Sequence, residues 1–461
     1  MAEGLMHRGI KKVRDLWKRP AKLKALDSRG LARVREQLAD CASGLGGEVS
    51  ARQRAKRLGE TYLALDDDGK HAFLRLIATE FGPDPQKIAT AHTAYQAALG
   101  TPEQWEMEAR LWRALRSPRS FILSQFTALP QGIRFLIDLR VDLMRFLKAD
   151  PELFSLDREL EYRLSNWFDV SLLELQRITW QSPAALLEKL IQYEAVHTIH
   201  SWQDLKNRLD ADRRCYGFFH PKMPDEPLIF VEVALTDHLA DNVQALLDVH
   251  APVFDSQEAD TAIFYSISNT QTGLRGVSFG HFLLKRVIDD LQRDFPALKR
   301  FSTLSPIPAL RRWAMEHPDA WRTAFLPGDL ERLARCEDCT PSIDLAQQLL
   351  DDPTWPDNPR LARAFEAPLS RLAAHYLSSA RAKNGRLYDP VARFHLGNGA
   401  RIERLNYLGD TSAHGLAQSW GMMVNYLYEP EAIERNVEAL LRDGKIAMSS
   451  AVRLLAKNVN G

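Results

Sequence analysis

The sequence is poor in cysteine, and this limits the kinds of site it could hold. Four cysteines in 461 residues are too few for a disulfide-stabilised scaffold. Two of them, Cys336 and Cys339, form a CxxC pair, but no second pair of zinc ligands lies at a suitable spacing. Two thiols beside a helix end are the simpler interpretation, and a cytoplasmic, reducing location fits this cysteine content best.

The sequence also lacks an excess of either charge and any long apolar run. Lysine and arginine together number 60, as do aspartate and glutamate, so charge gives no reason to expect nucleic acid or an anionic membrane as a partner. No apolar stretch is long enough to span a bilayer. The basic segment 1–26 lacks the apolar core of a signal peptide and contains early acidic residues. We expect a short exposed helix there rather than a mitochondrial presequence.

Helical periodicity dominates the first 185 residues. In the stretch IRFLIDLRVDLMRFL, the side chains Leu136, Leu139, Leu143 and Phe146 recur at steps of three and four and form one apolar stripe, with Arg140 away from it. No glycine-rich loop and no cluster of metal ligands occurs in this half. We predict an all-helical domain over residues 1–185 that acts as a scaffold or in oligomerisation.

The pattern changes near residue 200. EPLIFVEVAL (226–235) and TAIFYSIS (261–268) are short, rich in β-branched and aromatic residues, and therefore predict strands. An amphipathic helix and a further strand, LKRFSTLS, follow, which indicates a βαβ-like core. A helical insertion is expected at about 309–388, and a final helix around 431–456. The sequence thus predicts an α+β multidomain protein with a second domain at 186–461.

Two short patterns could place catalytic side chains. Ser305 precedes Pro306, which lacks an amide hydrogen and holds the preceding residue extended, so Ser305 should end a strand with its hydroxyl fixed in direction. Asp389 can cap a short helix that places His395 in its last turn, where the helix dipole favours the imidazolium form. Such a histidine is either a proton donor or only a helix cap. Tyr428 or Asp410 could orient it.

A third pattern is the loop NTQTGLRG, which carries Gly273 and Gly276 directly before a helix. Glycines allow close approach of a ligand, and free amides at a helix N-terminus attract phosphate. The loop fits either a pyrophosphate site or an ordinary tight turn. His197 and His200 stand three residues apart without a carboxylate-bearing motif, so they predict no metal site.

Taken together, four longer strings resemble the catalytic half of malonyl-CoA decarboxylases. They are RRCYGFFHPKMPDEPLIFVEVALT (213–236), SISNTQTGLRGVSFGHFLLKRVIDDLQRDFP (266–296), FSTLSPIP (301–308) and DPVARFHLGNGARIERLNYLGDTSAHGLAQSWGMMVNYLYE (389–429). The resemblance implies a catalytic domain of the acetyltransferase (GNAT) type that binds acyl-CoA. The implied reaction converts malonyl-CoA to acetyl-CoA and CO2 in fatty acid metabolism, without metal, biotin or pyridoxal phosphate.

The resemblance also implies roles for particular residues. Ser305 and His395 match the catalytic pair, while Tyr428 and His220 match further functional positions and Asp410 is a candidate to orient His395. The implied CoA-binding residues are Arg275, Gly276, Val277, Ser278, Phe279, Gly280 and His281, with Ser266 in addition. Ser278 stands where some relatives carry an acidic residue, which puts a carboxylate role there in doubt. The implied assembly is a homo-oligomer, with a tetramer expected, and neither nucleic acid nor membrane as a partner.

Two other functions remain open from the sequence. A CoA-dependent acyltransferase would use the same fold but would release free CoA in the presence of an acceptor amine or hydroxyl. A non-catalytic acyl-CoA sensor or assembly protein would bind malonyl-CoA tightly without turning it over. The presence of Ser305, His395 and Tyr428 argues for an enzyme.

Overall fold

The structure is a computed structural model that describes residues 25–43, 47–168, 172–277 and 283–457. The chain forms two compact units. The helical unit contains the described residues up to Glu174 together with the segments 219–228 and 270–277, and the sheet unit contains the remainder. The predicted helix at 1–26 lies almost wholly outside the described residues. The predicted domain boundary at 185 stays a prediction.

Four of the eight helices that the structure describes in the helical unit begin at a side chain that satisfies a free amide of the first turn. The Asp27 carboxylate accepts from the Gly30 amide at 2.7 Å, and Asp66 accepts from Gly69 at 2.8 Å. The helices are α1 (Ser28–Ala42), α2 (Glu48–Leu63), α3 (Asp67–Glu80), α4 (Pro85–Ala97), α5 (Gln104–Leu115), α6 (Pro118–Phe126), α7 (Gly132–Phe146) and α8 (Phe154–Trp167).

The apolar stripe predicted on α7 faces the core of the helical unit. Leu136, Leu139 and Leu143 are buried in that core, and Phe146 packs against it. Burial of such a stripe supplies most of the stability of a surface helix, because isolated helices of this length are marginal in water. The prediction of a helical N-terminal region is therefore confirmed, whereas the all-helical range predicted to residue 185 is wrong at its end, where residues 174–178 form a strand.

The sheet unit begins with β1 and is built on a mixed sheet. Its elements as far as the last short strand are β1 (Glu174–Ile178), α9 (Ala184–Tyr193), α10 (Trp202–Asn207), β2 (Arg213–His220), β3 (Met223–Thr236), α11 (Val243–Leu246), β4 (Thr261–Asn269), α12 (Leu283–Asp294), β5 (Arg300–Thr303) and β6 (Ser305–Pro306). The ends of β2 and β3 lie in the helical unit's segment 219–228.

The rest of the sheet unit contains the predicted helical insertion at about 309–388, within which five helices lie. Its elements are α13 (Leu310–Glu316), α14 (Pro318–Ala324), α15 (Pro327–Glu337), α16 (Ile343–Asp351), α17 (Pro359–Ser379), α18 (Pro390–Gly397), β7 (Arg401–Asn406), α19 (Ala413–Ser419), β8 (Met423–Tyr428), α20 (Ile433–Asp443) and α21 (Ser450–Lys457). The predicted single helix at 431–456 is wrong. Gly444 ends α20 with a φ of 64°, a left-handed conformation that favours glycine.

The strands around β4, β5 and β8 pair in both senses. β3 pairs antiparallel with β4, and β4 pairs parallel with β5 through the crossover that contains α12. β5 and β6 both pair antiparallel with β8 in one register, Phe301 opposite Tyr428 and Ser305 opposite Val424, so they follow a single edge of β8. The predicted α+β class is confirmed.

The sheet opens at the point where the catalytic serine is expected. The parallel register of β4 and β5 ends with Phe264 opposite Thr303. Beyond it β4 continues along β3 to Asn269, whereas Ser305 and Pro306 pair only with β8. Ser305 therefore lies just past the last paired residue of β5, where β4 no longer accompanies the strand.

Candidate active site

Ser305 and Thr303 point to the same side of their strand because they are two residues apart. Both are buried, and the Ser305 hydroxyl donates to Thr303 Oγ1 at 2.8 Å. Thr303 Oγ1 also accepts from the Tyr426 amide of β8 at 3.1 Å. The hydroxyl of Ser305 is thus fixed in direction, as the proline after it led us to expect.

The helix that carries His395 has the predicted ends. Asp389 Oδ1 accepts from the Val391 and Ala392 amides at 2.9 and 2.8 Å, and Tyr376 donates its hydroxyl to the other carboxylate oxygen at 3.1 Å. Gly399 follows the helix with a φ of 84°. The cap and the stop together fix α18, and they place His395 in its last turn.

Three side chains from three different elements form one hydrogen-bonded line. His395 Nε2 lies 3.2 Å from Ser305 Oγ, and His395 Nδ1 lies 2.8 Å from the Tyr428 hydroxyl. The imidazole is stacked on the ring of Tyr426, with centroids 4.7 Å apart and planes inclined by 23°. Ser305, His395 and Tyr428 expose 5%, 4% and 2% of their surface, so water does not compete for these hydrogen bonds.

The positions of the shared hydrogens follow from donor and acceptor strength. The phenol of Tyr428 is the strongest hydroxyl donor in the line, and an unprotonated imidazole nitrogen is the strongest acceptor. We therefore assign the phenol hydrogen to the bond with Nδ1, which leaves the imidazole hydrogen on Nε2, directed at Ser305. Ser305 in turn donates to Thr303. The reverse assignment would leave the buried phenol hydrogen without an acceptor among the described residues.

Burial decides the charge of His395. It lowers the pKa of His395 to about 3, because an imidazolium loses its hydration in this site. The prediction that the helix dipole holds His395 as an imidazolium is therefore wrong. Burial likewise raises the pKa of Tyr428 well above its usual value. Both groups are neutral at neutral pH.

Asp410 does not orient His395. Its carboxylate accepts from the Gln244 side chain at 2.7 Å and from the Ser412 amide at 2.9 Å, at the start of α19. Both ring nitrogens of His395 already have partners, Ser305 and Tyr428. Of the two candidates for this role, only Tyr428 contacts His395, through Nδ1.

Two further predicted residues make contacts within their own units. His220 belongs to the helical unit, where its Nδ1 accepts from the Lys222 amide at 3.1 Å and its ring lies edge-on to Phe168. Burial lowers the pKa of His220. In the sheet unit, Ser266 is buried and its hydroxyl donates to the Glu194 carboxylate at 2.8 Å. Its hydroxyl hydrogen is therefore already bonded within the protein and is not available to a CoA ligand.

The predicted CoA-binding segment is described only in part. Arg275, Gly276 and Val277 belong to the helical unit, whereas Ser278, Phe279, Gly280 and His281 lie outside the described residues. Gly276 has a φ of 85°, which explains why glycine occurs there.

The other glycine of that segment has a reason that the sequence did not indicate. A Cβ at Gly273 would lie 2.2 Å from the Ile137 carbonyl oxygen, so this glycine allows the segment to pack against the backbone of α7. Buried Arg140 holds the segment in place, donating from Nη1 to the Gly273 and Arg275 carbonyls at 2.9 Å each. The same guanidinium donates to Asp157 at 2.9 Å.

Two residues of the site were not foreseen. Thr303 is the hydrogen-bond acceptor of Ser305, and Tyr426 is the ring on which His395 stacks. Each precedes a predicted site residue by two positions on a strand, and residues two apart on a strand share a face. That spacing was the signal that could have found them.

Comparison with known proteins decides the family. A family model described as the malonyl-CoA decarboxylase C-terminal domain matches residues 171–460, and one described as the malonyl-CoA decarboxylase N-terminal domain matches residues 81–168. The chain belongs to the malonyl-CoA decarboxylase family. This confirms the resemblance seen in the sequence and the predicted class of enzyme, a carboxy-lyase.

Individual malonyl-CoA decarboxylases are similar over most of their length. The mitochondrial malonyl-CoA decarboxylase of Anser anser anser is 36% identical over 423 residues, 87% of this chain and 83% of the relative. The crystal structure of the enzyme from Rhodopseudomonas palustris has a TM-score of 0.81 at 42% identity, covering 92% of this chain and 99% of that one. The enzyme from Cupriavidus metallidurans gives 0.73 at 44% identity, covering 93% and 100%.

The described residues contain neither a group of side chains suited to a metal ion nor a helix suited to a membrane. Within those parts of the chain, no group of three or more histidine, cysteine, aspartate or glutamate side chains is arranged to hold a metal ion. No helix in the same residues is both long and apolar enough to cross a membrane.

Proposed function

We propose that the protein decarboxylates malonyl-CoA to acetyl-CoA and CO2, with Ser305, His395 and Tyr428 as its catalytic residues. The observation that carries the proposal is the buried line from Tyr428 through His395 to Ser305, in a chain that belongs to this family. Its position supports the assignment, because Ser305 lies where β4 and β5 cease to pair.

The reaction sets two demands on the site. Breaking the bond between the α-carbon and the carboxylate leaves the electron pair on a thioester enolate, whose charge must be stabilised. The enolate then needs a proton on carbon. Fixed hydroxyl and imidazole donors in a site closed to water meet the first demand, since they need no reorganisation as charge develops.

A hydrogen-bonded relay meets the second demand. Ser305 gives its hydroxyl hydrogen to the α-carbon and takes the Nε2 hydrogen of His395, while Nδ1 takes the phenol hydrogen of Tyr428. A thioester enolate is a far stronger base than a phenolate, so the transfer runs toward acetyl-CoA. The Nδ1 hydrogen then returns to the Tyr428 phenolate while Nε2 takes a proton from water, which restores the resting line, and each turnover consumes one proton.

Labelled substrate tests the reaction itself. Purified protein is mixed with malonyl-CoA labelled at its free carboxyl carbon, and labelled CO2 and acetyl-CoA are followed together. We expect the two to appear in equal amounts. Release of free CoA from acetyl-CoA and an acceptor amine would indicate an acyltransferase instead, and tight binding without turnover would indicate a sensor.

Variants test the catalytic pair. Ser305→Ala and His395→Asn should each lower kcat by about 100-fold or more, as expected for loss of a proton donor, with a smaller change in affinity for CoA. Ser302→Ala is the matched control, because Ser302 is also buried, lies on the adjoining strand β5 and donates to the Tyr426 carbonyl rather than to His395. Near-normal turnover in either variant would overturn its role.

The implied cofactors, assembly and location belong to the same proposal. Catalysis should proceed without metal, biotin or pyridoxal phosphate, and exhaustive dialysis against a chelator should leave kcat unchanged. A tetramer is expected from the family resemblance, and light scattering measures it. A cytoplasmic location is supported by cysteines that are free in the structure. Cell fractionation tests it against the mitochondrial location in the names of the vertebrate relatives.

A further inference from the structure

Thr303 occupies a special place beside the catalytic line. Its side chain is fully buried, and Oγ1 receives two donors, the Ser305 hydroxyl and the Tyr426 amide. Its backbone is fixed as well, because Asn425 donates to the Thr303 carbonyl at 2.7 Å. Thr303 makes no hydrogen bond to His395 or Tyr428 among the described residues, and Ser305 is the hydroxyl that links it to them.

The direction of the Ser305 hydroxyl depends on which acceptor takes its hydrogen. Two acceptors lie within reach of that hydrogen, Thr303 Oγ1 at 2.8 Å and His395 Nε2 at 3.2 Å. If Nε2 took it, the imidazole would carry its own hydrogen on Nδ1, directed at Tyr428. The relay would then have no hydrogen to move from Nε2 toward Ser305.

We propose that Thr303 is a positioning residue that sets the direction of proton transfer. Thr303 Oγ1 accepts the Ser305 hydrogen, so His395 can carry its own hydrogen on Nε2. Each hydrogen bond then donates in the same direction, from Tyr428 to His395 and from His395 to Ser305. The expected effect of Thr303 on kcat rests on the proposed function. Its structural consequence, the position of the hydrogen on His395, stands independently.

The Tyr426 amide explains why Thr303 accepts this hydrogen reliably. A threonine hydroxyl in an open site rotates freely, but here the amide approaches Oγ1 from a fixed point on β8. The Asn425 side chain is itself anchored on both sides, donating also to the Ala240 carbonyl at 2.9 Å. The acceptor lone pair that faces Ser305 is therefore held in place by two neighbouring strand residues, Asn425 and Tyr426.

Three variants of Thr303 test the proposal. Thr303→Val keeps the volume but removes the acceptor, and it should lower kcat by about 10- to 100-fold with KM changed less than about threefold, because general acid catalysis is lost while binding is not. Thr303→Ser restores the hydroxyl and should recover kcat to within about threefold. If the valine variant fails to fold, Thr303→Cys replaces it, because the cysteine sulfur is only a weak hydrogen-bond acceptor. We expect the same loss of kcat in Thr303→Cys.

A control variant and a second measurement distinguish an effect on the direction of proton transfer from an effect on core packing. Ser302→Ala removes a neighbouring buried hydroxyl that does not contact Ser305, and it should leave kcat and KM near their normal values. Nitrogen-15 spectra of histidine-labelled protein, with the His395 signal identified by its loss in His395→Gln, report which ring nitrogen carries the hydrogen. We expect hydrogen on Nε2 in the natural protein and an increased fraction on Nδ1 in Thr303→Val or Thr303→Cys, where the Ser305 and Tyr428 hydrogens compete for the single unprotonated ring nitrogen.

Each outcome bears on one proposal. An unchanged kcat and an unchanged nitrogen spectrum in both variants would overturn the role of Thr303 while leaving the decarboxylase assignment in place. Absence of CO2 release from the natural protein would overturn the proposed function, and the nitrogen spectrum would still decide the role of Thr303. A hydrogen already on Nδ1 in the natural protein would contradict proton transfer from Tyr428 toward Ser305.

Discussion

Replacing Tyr428 with phenylalanine is the most selective perturbation of the site. Tyr428→Phe keeps the ring and its burial and removes only the oxygen that lies 2.8 Å from His395 Nδ1. That nitrogen then has no partner among the described residues. His395 keeps its stacking on Tyr426 and its contact with Ser305, so the geometry of the line should survive.

The size of the effect follows from the role of the lost hydrogen bond. A hydrogen bond to a group that gains charge in the transition state contributes about 1.5–3 kcal/mol, compared with about 1 kcal/mol for a neutral pair. A change of about 1.4 kcal/mol in the barrier is a tenfold change in rate. We therefore expect kcat to fall about 10- to 150-fold, with KM changed little, because the bond strengthens only as the proton moves.

The assay is the release of labelled CO2 at saturating and limiting malonyl-CoA, which separates kcat from KM. Tyr265→Phe is the matched control, since Tyr265 is a buried tyrosine of β4 whose hydroxyl has no hydrogen-bond partner in the described residues. It should retain normal kcat. A kcat for Tyr428→Phe within twofold of the natural protein, or an equal loss of activity in the control, would refute the role of Tyr428 in proton transfer.

Three further predictions concern stability. Gly273→Ala should lower the free energy of unfolding by about 1–3 kcal/mol, because its Cβ would meet the Ile137 backbone, while Gly328→Ala, with open space around it, should be neutral or stabilising in thermal melts. Arg140→Met should cost about 3–5 kcal/mol in denaturant titrations, since it leaves a buried carboxylate unpaired; a loss below 1 kcal/mol would contradict this. Because the folded pKa of His395, about 3, is below the unfolded value, its stabilising contribution should be lost as pH falls from about 6.5 toward 3. The slope of stability with pH should therefore be shallower in His395→Gln, and an unchanged slope would refute the low pKa.

Local signals predicted the local parts of the site correctly. The order Asp389, Pro390, then Asn398 and Gly399 specified α18, because each residue satisfies or ends helix hydrogen bonds within one turn. Pro306, which has no amide hydrogen, likewise indicated that the strand would end near Ser305. Such features depend on neighbours in the sequence, which is why they could be seen in advance.

Properties that depend on distant neighbours could not be predicted. The helix dipole pointed to a charged His395, but burial by the surrounding sheet unit outweighs it and lowers its pKa. Tyr428 and Asp410 were equivalent candidates until the fold placed only one of them at Nδ1. Arg140 lay off the apolar stripe, yet it is buried because the segment 270–277 packs over it. None of these contacts leaves a periodic pattern in the sequence.

The contact between Arg140 and the segment 270–277 has a consequence for synthesis of the chain. About 100 residues separate the end of α8 from that segment, and a ribosome adds roughly 5–20 residues per second. The helices of the first unit are therefore complete on the order of 5–20 seconds before the carbonyls of Gly273 and Arg275 are made. Through that interval the nascent helical unit lacks the acceptors for Arg140 Nη1. Its final packing must wait until β1 to β4 of the other unit have been translated.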